Sequence, residues 1–181
     1  MSIKANFTRV STILAWYNDL SHIPQDILQA KCELGQRVHV AIEEELSGGF
    51  RIDVVQESGY VQCFQNWHEI VQPKVFRLEQ RLYDDNFGFT GQLDAILDLD
   101  GELVITDYKT SSVPNEKIWL LQAGFYWLLA KRNDLKVSDR VLFLQLFDDA
   151  KKMPRVHEYK ITGKIERLCY SVLETYRFFN Q

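Results

Sequence analysis

The chain is 181 residues long, 46% hydrophobic and 25% charged, with a formal net charge of −4. That size and composition suit one globular domain spanning residues 1–181, and the acidic balance argues against a protein that grips nucleic acid by charge alone. Cys32, Cys63 and Cys169 form no CxxC and cannot supply a four-thiolate zinc or iron–sulfur site, no apolar run is long enough to span a membrane, and the opening MSIKANFTRV is too polar for a signal peptide, so the expectation is a reduced, cytoplasmic protein with no membrane partner.

Residues 11–19 (STILAWYND) read as a short helix and residues 22–46 as a longer one, with Pro24 near its first turn. Ile27, Leu34, Val38, Ile42 and Leu46 give the long helix an apolar stripe. Gly35 interrupts the stripe and permits close packing, and Ser47-Gly48-Gly49 ends it. Residues 54–71 read as a third helix, stopped before Pro73, followed by a strand over 75–83 and a turn at Asp84-Asp85-Asn86. Two more strands, 91–97 and 103–108, flank Asp100-Gly101. After Pro114 come a strongly apolar, buried helix (117–131), a buried strand (141–147), an edge strand (156–161) and a closing helix (164–179). This order predicts an α/β fold with a central mixed β-sheet flanked by helices. The helical crossover after the paired strands makes the next strand parallel to its predecessor.

The stretch GQLDAILDLDGELVITDYKTS places Asp94, Asp107 and Lys109 in otherwise ordinary strand sequence. Asp-Gly is a strong signal for a two-residue hairpin turn. With Asp100-Gly101 as the loop, Leu99 faces Glu102, Asp94 faces Asp107 and Gln92 faces Lys109. Opposed residues share a face of the sheet, so two carboxylates and an ammonium meet at the end away from the turn. A four-residue loop over 98–101 would shift that register. Directly opposed like charges are destabilising. A divalent cation offsets the repulsion, since carboxylate oxygens suit Mg²⁺ and Mn²⁺, and the lysine alone offsets part of it. Relief of the same repulsion predicts that Asp94→Asn or Asp107→Asn raises stability in metal-free buffer.

Other residues carry weaker signals, each with a structural alternative. His39 and Glu43 lie four apart on one face of the long helix. The imidazole is either a third metal ligand or a partly buried helix histidine. Gln122 and Tyr126 are also four apart, on the apolar helix, and need buried partners. They either satisfy each other locally or contact a phosphate or base. Glu79, on the strand before the hairpin, is expected beside Gln92 or Leu93, supporting the cluster or pairing with a cation. His22, His68 and His157 fit no useful spacing. Charge is uneven: residues 1–116 hold nine basic against eighteen acidic side chains, whereas 117–167 hold eleven against six. Charge counts alone favour a set of solvated helix faces and turns; a polyanion, if bound, is expected to touch the later segment.

Together, GQLDAI, VITDYKTS and QAGFY resemble the nuclease core of the PD-(D/E)XK superfamily, with its restriction-endonuclease-like fold, above all the RecB-like branch and its phage-type exonuclease relatives. That branch carries a histidine on an early helix, then GxxD, DxK and QxxxY. Here these match His39, Gly91 with Asp94, Asp107 with Lys109, and Gln122 with Tyr126. RVSTILAWYNDLSHIP and LGQRVHVAIEEEL are also similar to small phage-encoded members, so the resemblance covers roughly residues 9–147. Leu93 replaces the proline that names the superfamily, and the cysteines of the iron–sulfur members and any helicase motif are missing.

The resemblance implies a metal-dependent deoxyribonuclease that hydrolyses phosphodiester bonds, an exonuclease of phage or bacterial recombination and repair in a bacterial or phage-infected host cell. It implies that His39, Asp94, Asp107 and the Tyr108 backbone carbonyl hold one or two Mg²⁺ or Mn²⁺ ions. Lys109 would orient the attacking water or stabilise the transition state, and Gln122 and Tyr126 would position the strand. DNA is the implied partner, joined by a homo-oligomer contact or a recombination protein. The rivals are a structure-specific endonuclease, a catalytically silent nucleic-acid-binding module of the same fold, and a plain α/β interaction domain.

Overall fold

Proline cannot donate to the preceding turn, so Pro24 caps the long helix and the helix proper begins one residue later. The computed structural model describes residues 7–48 and 58–180. A two-residue strand, β1 (Thr8–Arg9), leads into helix α1 (Val10–Trp16), followed by α2 (Gln25–Leu46) and α3 (Ser58–Val71). Then come β2 (Lys74–Asp84), β3 (Phe89–Leu99), β4 (Glu102–Lys109), α4 (Glu116–Arg132), β5 (Arg140–Gln145), β6 (Arg155–Lys160) and α5 (Gly163–Asn180). Each expected element is present within a few residues of its expected bounds. β1 carries too little sequence to be foreseen. Gly49 and the expected start of the third helix at residue 54 lie outside the described residues.

The six strands form one mixed sheet in the order β1-β3-β4-β5-β6, with β2 paired to β3. β3 runs antiparallel to β2 and β4 and parallel to β1, β4 and β5 run parallel as the crossover requires, and β6 closes an edge antiparallel to β5. Leu99 pairs with Glu102 across Asp100-Gly101. Both turn residues have positive φ, 55° and 90°, the geometry of a type I′ turn. The sheet is covered on both faces. On one, α1, α4 and α5 bury Ile13, Phe125, Leu129 and Leu173 against Phe89, Leu93, Ile105 and Phe143. On the other, α2 and α3 bury Val38, Ile42, Phe64 and Trp67 against Ala95, Leu97 and Leu144. No helix among the described residues is long and apolar enough to cross a membrane.

Two features of β3 open a site in the middle of this sheet. One of its edges is paired with β2 from Asp98 to Phe89. The other edge is shared: β1 takes Phe89 and Thr90, and β4 takes Ala95 to Leu99. Residues 91–94 are left between them. The alternation of β3 also breaks there, since Leu93 and Ile96 lie in the core under α4 whereas Ala95 and Leu97 lie in the core under α2 and α3. β2 breaks at the same level: Leu82 belongs to the first core and Leu78 packs on the second, with Glu79 between them at φ 46°. A left-handed backbone at a glutamate costs energy and is held only where surrounding structure dictates it.

Candidate active site

The β3–β4 ladder ends at Ala95–Thr106, one step short of Asp94–Asp107. Where the next backbone bonds would fall, the Asp94 carboxylate takes over. Its Oδ2 accepts the Tyr108 backbone N–H at 2.9 Å. The two carboxylates are brought together, but the expected Gln92–Lys109 pairing is not formed. Once the ladder has ended and β3 has changed face, Gln92 turns toward β2 and donates to Glu79 Oε2 at 2.5 Å. Lys109 instead reaches α4, donating to Gln122 Oε1 at 3.0 Å. Glu79 also sits one step from its expected place. Leu78 pairs with Ala95 and Gln80 with Leu93, which puts Glu79 level with Asp94.

On the α4 face, Lys109 Nζ lies 2.6 Å from Asp107 Oδ2. The Gln122 amide donates to Asp107 Oδ1 at 3.4 Å and to the Tyr126 hydroxyl at 2.9 Å. A β-carbon built on Gly91 would meet the Tyr126 ring at 3.0 Å and Leu129 at 2.8 Å. The absent side chain at Gly91 therefore lets Tyr126 lie against the strand, and Tyr126 in turn fixes Gln122. GxxD, DxK and QxxxY are thus one connected object.

On the α2 face, His39 Nε2 lies 2.9 Å from the Tyr108 carbonyl and Nδ1 lies 3.3 Å from Asp94 Oδ2. His39, Glu79 and Asp94 each offer a ligand atom within 4.8 Å of the others. Glu43, one turn from His39, is not in that group. Burial disfavours the His39 imidazolium, but the adjacent Asp94 carboxylate outweighs it and pushes the pKa up to about 9. Burial would raise the Asp94 carboxyl, yet His39 holds it below the ordinary carboxylate range. Asp107 goes the other way, pushed up to about 6 by burial and then by Asp94, with Lys109 pulling against them. The cluster has more carboxylate charge than its cations neutralise, and a proton on His39 makes up part of the difference. Oxygen and imidazole donors this close, with uncompensated negative charge, fit a divalent cation such as Mg²⁺ or Mn²⁺.

The structure also brings in residues that the spacing did not reveal. Gln145 faces Lys109 on β5 and donates to the Ser111 and Ser112 carbonyls at 2.9 and 3.2 Å, pinning the chain just after Lys109. His157 Nε2 lies 3.1 Å from Gln145 Oε1 and its Nδ1 lies 2.9 Å from Glu116 Oε1. Arg81 donates to Gln92 Oε1. These contacts cross strand and helix boundaries, so no local spacing announces them.

The sequence profile of the PD-(D/E)XK nuclease superfamily matches residues 51–175, more than half of the chain. No curated protein matches it. Among solved structures, a candidate exonuclease from Eubacterium rectale superposes with a TM-score of 0.58 at 10% identity, covering 94% of this chain and 78% of that one. At that identity the likeness speaks for the fold alone. SSO0001 superposes with a TM-score of 0.46 at 14% identity, over 97% of this chain and 79% of that one, too low to carry an argument.

Proposed function

The chain belongs to the PD-(D/E)XK nuclease superfamily, and on that footing we propose that it is a Mg²⁺- or Mn²⁺-dependent DNA exonuclease of the RecB-like branch, one domain over residues 1–181, serving phage or bacterial recombination and repair. The observation that carries this reading is the meeting of His39, Glu79 and Asp94 with the Asp107–Lys109 pair where the β3–β4 ladder ends. The E. rectale neighbour, itself described as a candidate exonuclease, shares the fold.

In this reading His39, Asp94, Asp107 and the Tyr108 carbonyl hold the ion or ions, with Glu79 as a further donor. A bound ion supplies Lewis acidity toward the phosphate and a lowered pKa for the attacking water. Lys109 stabilises the charge that builds on the phosphate oxygens. Gln122, buttressed by Tyr126, fixes the Lys109 ammonium, so no reorganisation is needed as the charge develops. The basic later segment reaches the same end of the sheet. Lys109, Gln145 and Arg155 lie in register across β4, β5 and β6, which puts Arg155 about 10 Å from Lys109, toward a passing phosphate backbone.

Linear and circular duplex DNA incubated with Mg²⁺, Mn²⁺ or EDTA test the proposal. Metal-dependent loss of the linear form alone is the expected result. Cleavage of the circle would make the protein an endonuclease. Inertness of both forms with either ion, in protein that still binds DNA, would mark a silent module.

A further inference from the structure

We propose that Arg81 is a substrate-binding residue that holds the backbone phosphate next to the scissile one; this rests on the nuclease reading above. Arg81 lies on β2 opposite Gln92, two residues from the level of Asp94. At about 3.3 Å per strand residue, that is roughly 7 Å along the sheet from the candidate metal ligands, about the reach from one phosphate to its neighbour. Arg81 is partly buried. Its one bond is to a neutral acceptor, the Gln92 amide oxygen, and no carboxylate pairs with it among the described residues. The other partly buried arginines are paired, Arg140 with Glu102 and Glu158 and Arg177 with Glu174, whereas Arg77 and Arg155, which have no carboxylate partner among the described residues, are exposed.

A guanidinium has five N–H donors in a planar fork, and burying one without an anion is unfavourable. Four donors of Arg81 are therefore available, on a side chain aimed by Gln92, which is itself anchored to Glu79. The forked geometry matches phosphate oxygens. The ion would meet the scissile phosphate, so the neighbouring phosphate needs a cation of its own, and Lys109 is already engaged with Asp107 and Gln122. Arg81 is the group on the β2 side that meets this need.

The test measures binding of fluorescein-labelled DNA by anisotropy in Ca²⁺, across about 50–200 mM salt, for the wild type, Arg81→Gln and Arg81→Lys. Expected for Arg81→Gln are an affinity about tenfold weaker, as loss of a charge-assisted bond gives, and a salt slope lower by about one. Cleavage should show a raised KM with kcat little changed. Arg81→Lys should keep the salt slope and recover part of the affinity. An unchanged slope and affinity in folded Arg81→Gln overturns the proposal. So does a fall in kcat and Ca²⁺ affinity with the slope unchanged, which would mean Arg81 only steadies Gln92 and Glu79. A wild type that binds DNA through Arg81 but never cleaves it sinks the nuclease reading and leaves only the Arg81–phosphate contact standing. A wild type that binds no DNA overturns both.

Discussion

The two ends of the β3–β4 hairpin obey different rules. At the turn, every choice serves the backbone: Asp100 and Gly101 take the positive φ that a type I′ turn demands, and Asp98 Oδ1 accepts the Gly101 N–H at 2.6 Å. At the open end, carboxylates crowd together, a glutamate sits at φ 46°, and the ladder stops before its pairing is used up. One end is locally consistent and the other is not. Conflict of this kind persists where a site needs it, so changes at the open end should alter chemistry more than stability, and changes at the turn the reverse.

The largest expected effect is on cleavage. Lys109→Ala removes the cation facing the developing charge and should lower kcat by at least about 10²–10³-fold, as loss of one positioned donor does. Calorimetric Mg²⁺ affinity should change little, since Asp94, His39 and Glu79 keep their places, whereas the metal-free fold should melt lower because the buried Asp107 loses its cation. Retention of full activity in a folded variant would remove Lys109 from the mechanism.

Next come the two aspartates, which the sequence pattern treats alike and the geometry separates. Asp107 has its pKa raised to about 6, so its charge opposes folding. Asp107→Asn should stabilise the metal-free protein by about 1–3 kcal/mol near pH 8. Asp94 is held low by His39 and accepts the Tyr108 N–H. Asp94→Asn should cost about 1.5–3 kcal/mol. Both should weaken metal binding. Urea melts in EDTA decide the signs, and equal shifts for the two variants would mean the carboxylates are equivalent after all.

The same groups set the pH dependence of the metal-free fold. His39 has a folded pKa of about 9 against 6.5 when free, so its stabilisation is complete below about pH 6.5 and lost as pH rises through 9. Asp107, raised from 3.8 to about 6, adds a penalty that grows over that interval and is complete above it. In both cases the native state binds more protons than the unfolded one, so stability falls with rising pH from about 4 to 9. Asp94 works in the opposite sense only below its ordinary 3.8. Denaturation in EDTA across this range should show the decline, and a flat profile between about pH 6.5 and 9 would mean that His39 is not bound to the Asp94 carboxylate.

What was legible in the sequence follows the same division. The turn, the helices and the parallel crossover were readable because Asp-Gly, Pro24 and the apolar stripe of α2 act through neighbours in the chain. Asp94, Asp107, Lys109, Gln122 and Tyr126 were readable as motifs, but their link in space through Gly91 and Tyr126 was not. The Gln92–Lys109 pairing was misplaced because it assumed that regular alternation runs to the strand ends, whereas both β2 and β3 change face at Glu79 and Asp94. Arg81, Gln145 and His157 gave no signal because their partners lie on other elements.

The smallest expected effect, and the sharpest control, is Gly101→Ala. Gly101 has φ 90° with open space around a built β-carbon, so the substitution adds backbone strain without a clash. Strain of this kind costs about 1–2 kcal/mol, a few degrees of Tm in a chain of this length. The turn lies at the far end of the hairpin from Asp94, so kcat and metal affinity per folded molecule should match the wild type. The variant tests whether strain at the turn stays there: the Ala95–Thr106 pairing must still form if Asp94 is to meet Tyr108. A loss of activity beyond the loss of folded protein would show that the two ends are mechanically joined, and that the geometry at Asp94 depends on the register set at Gly101.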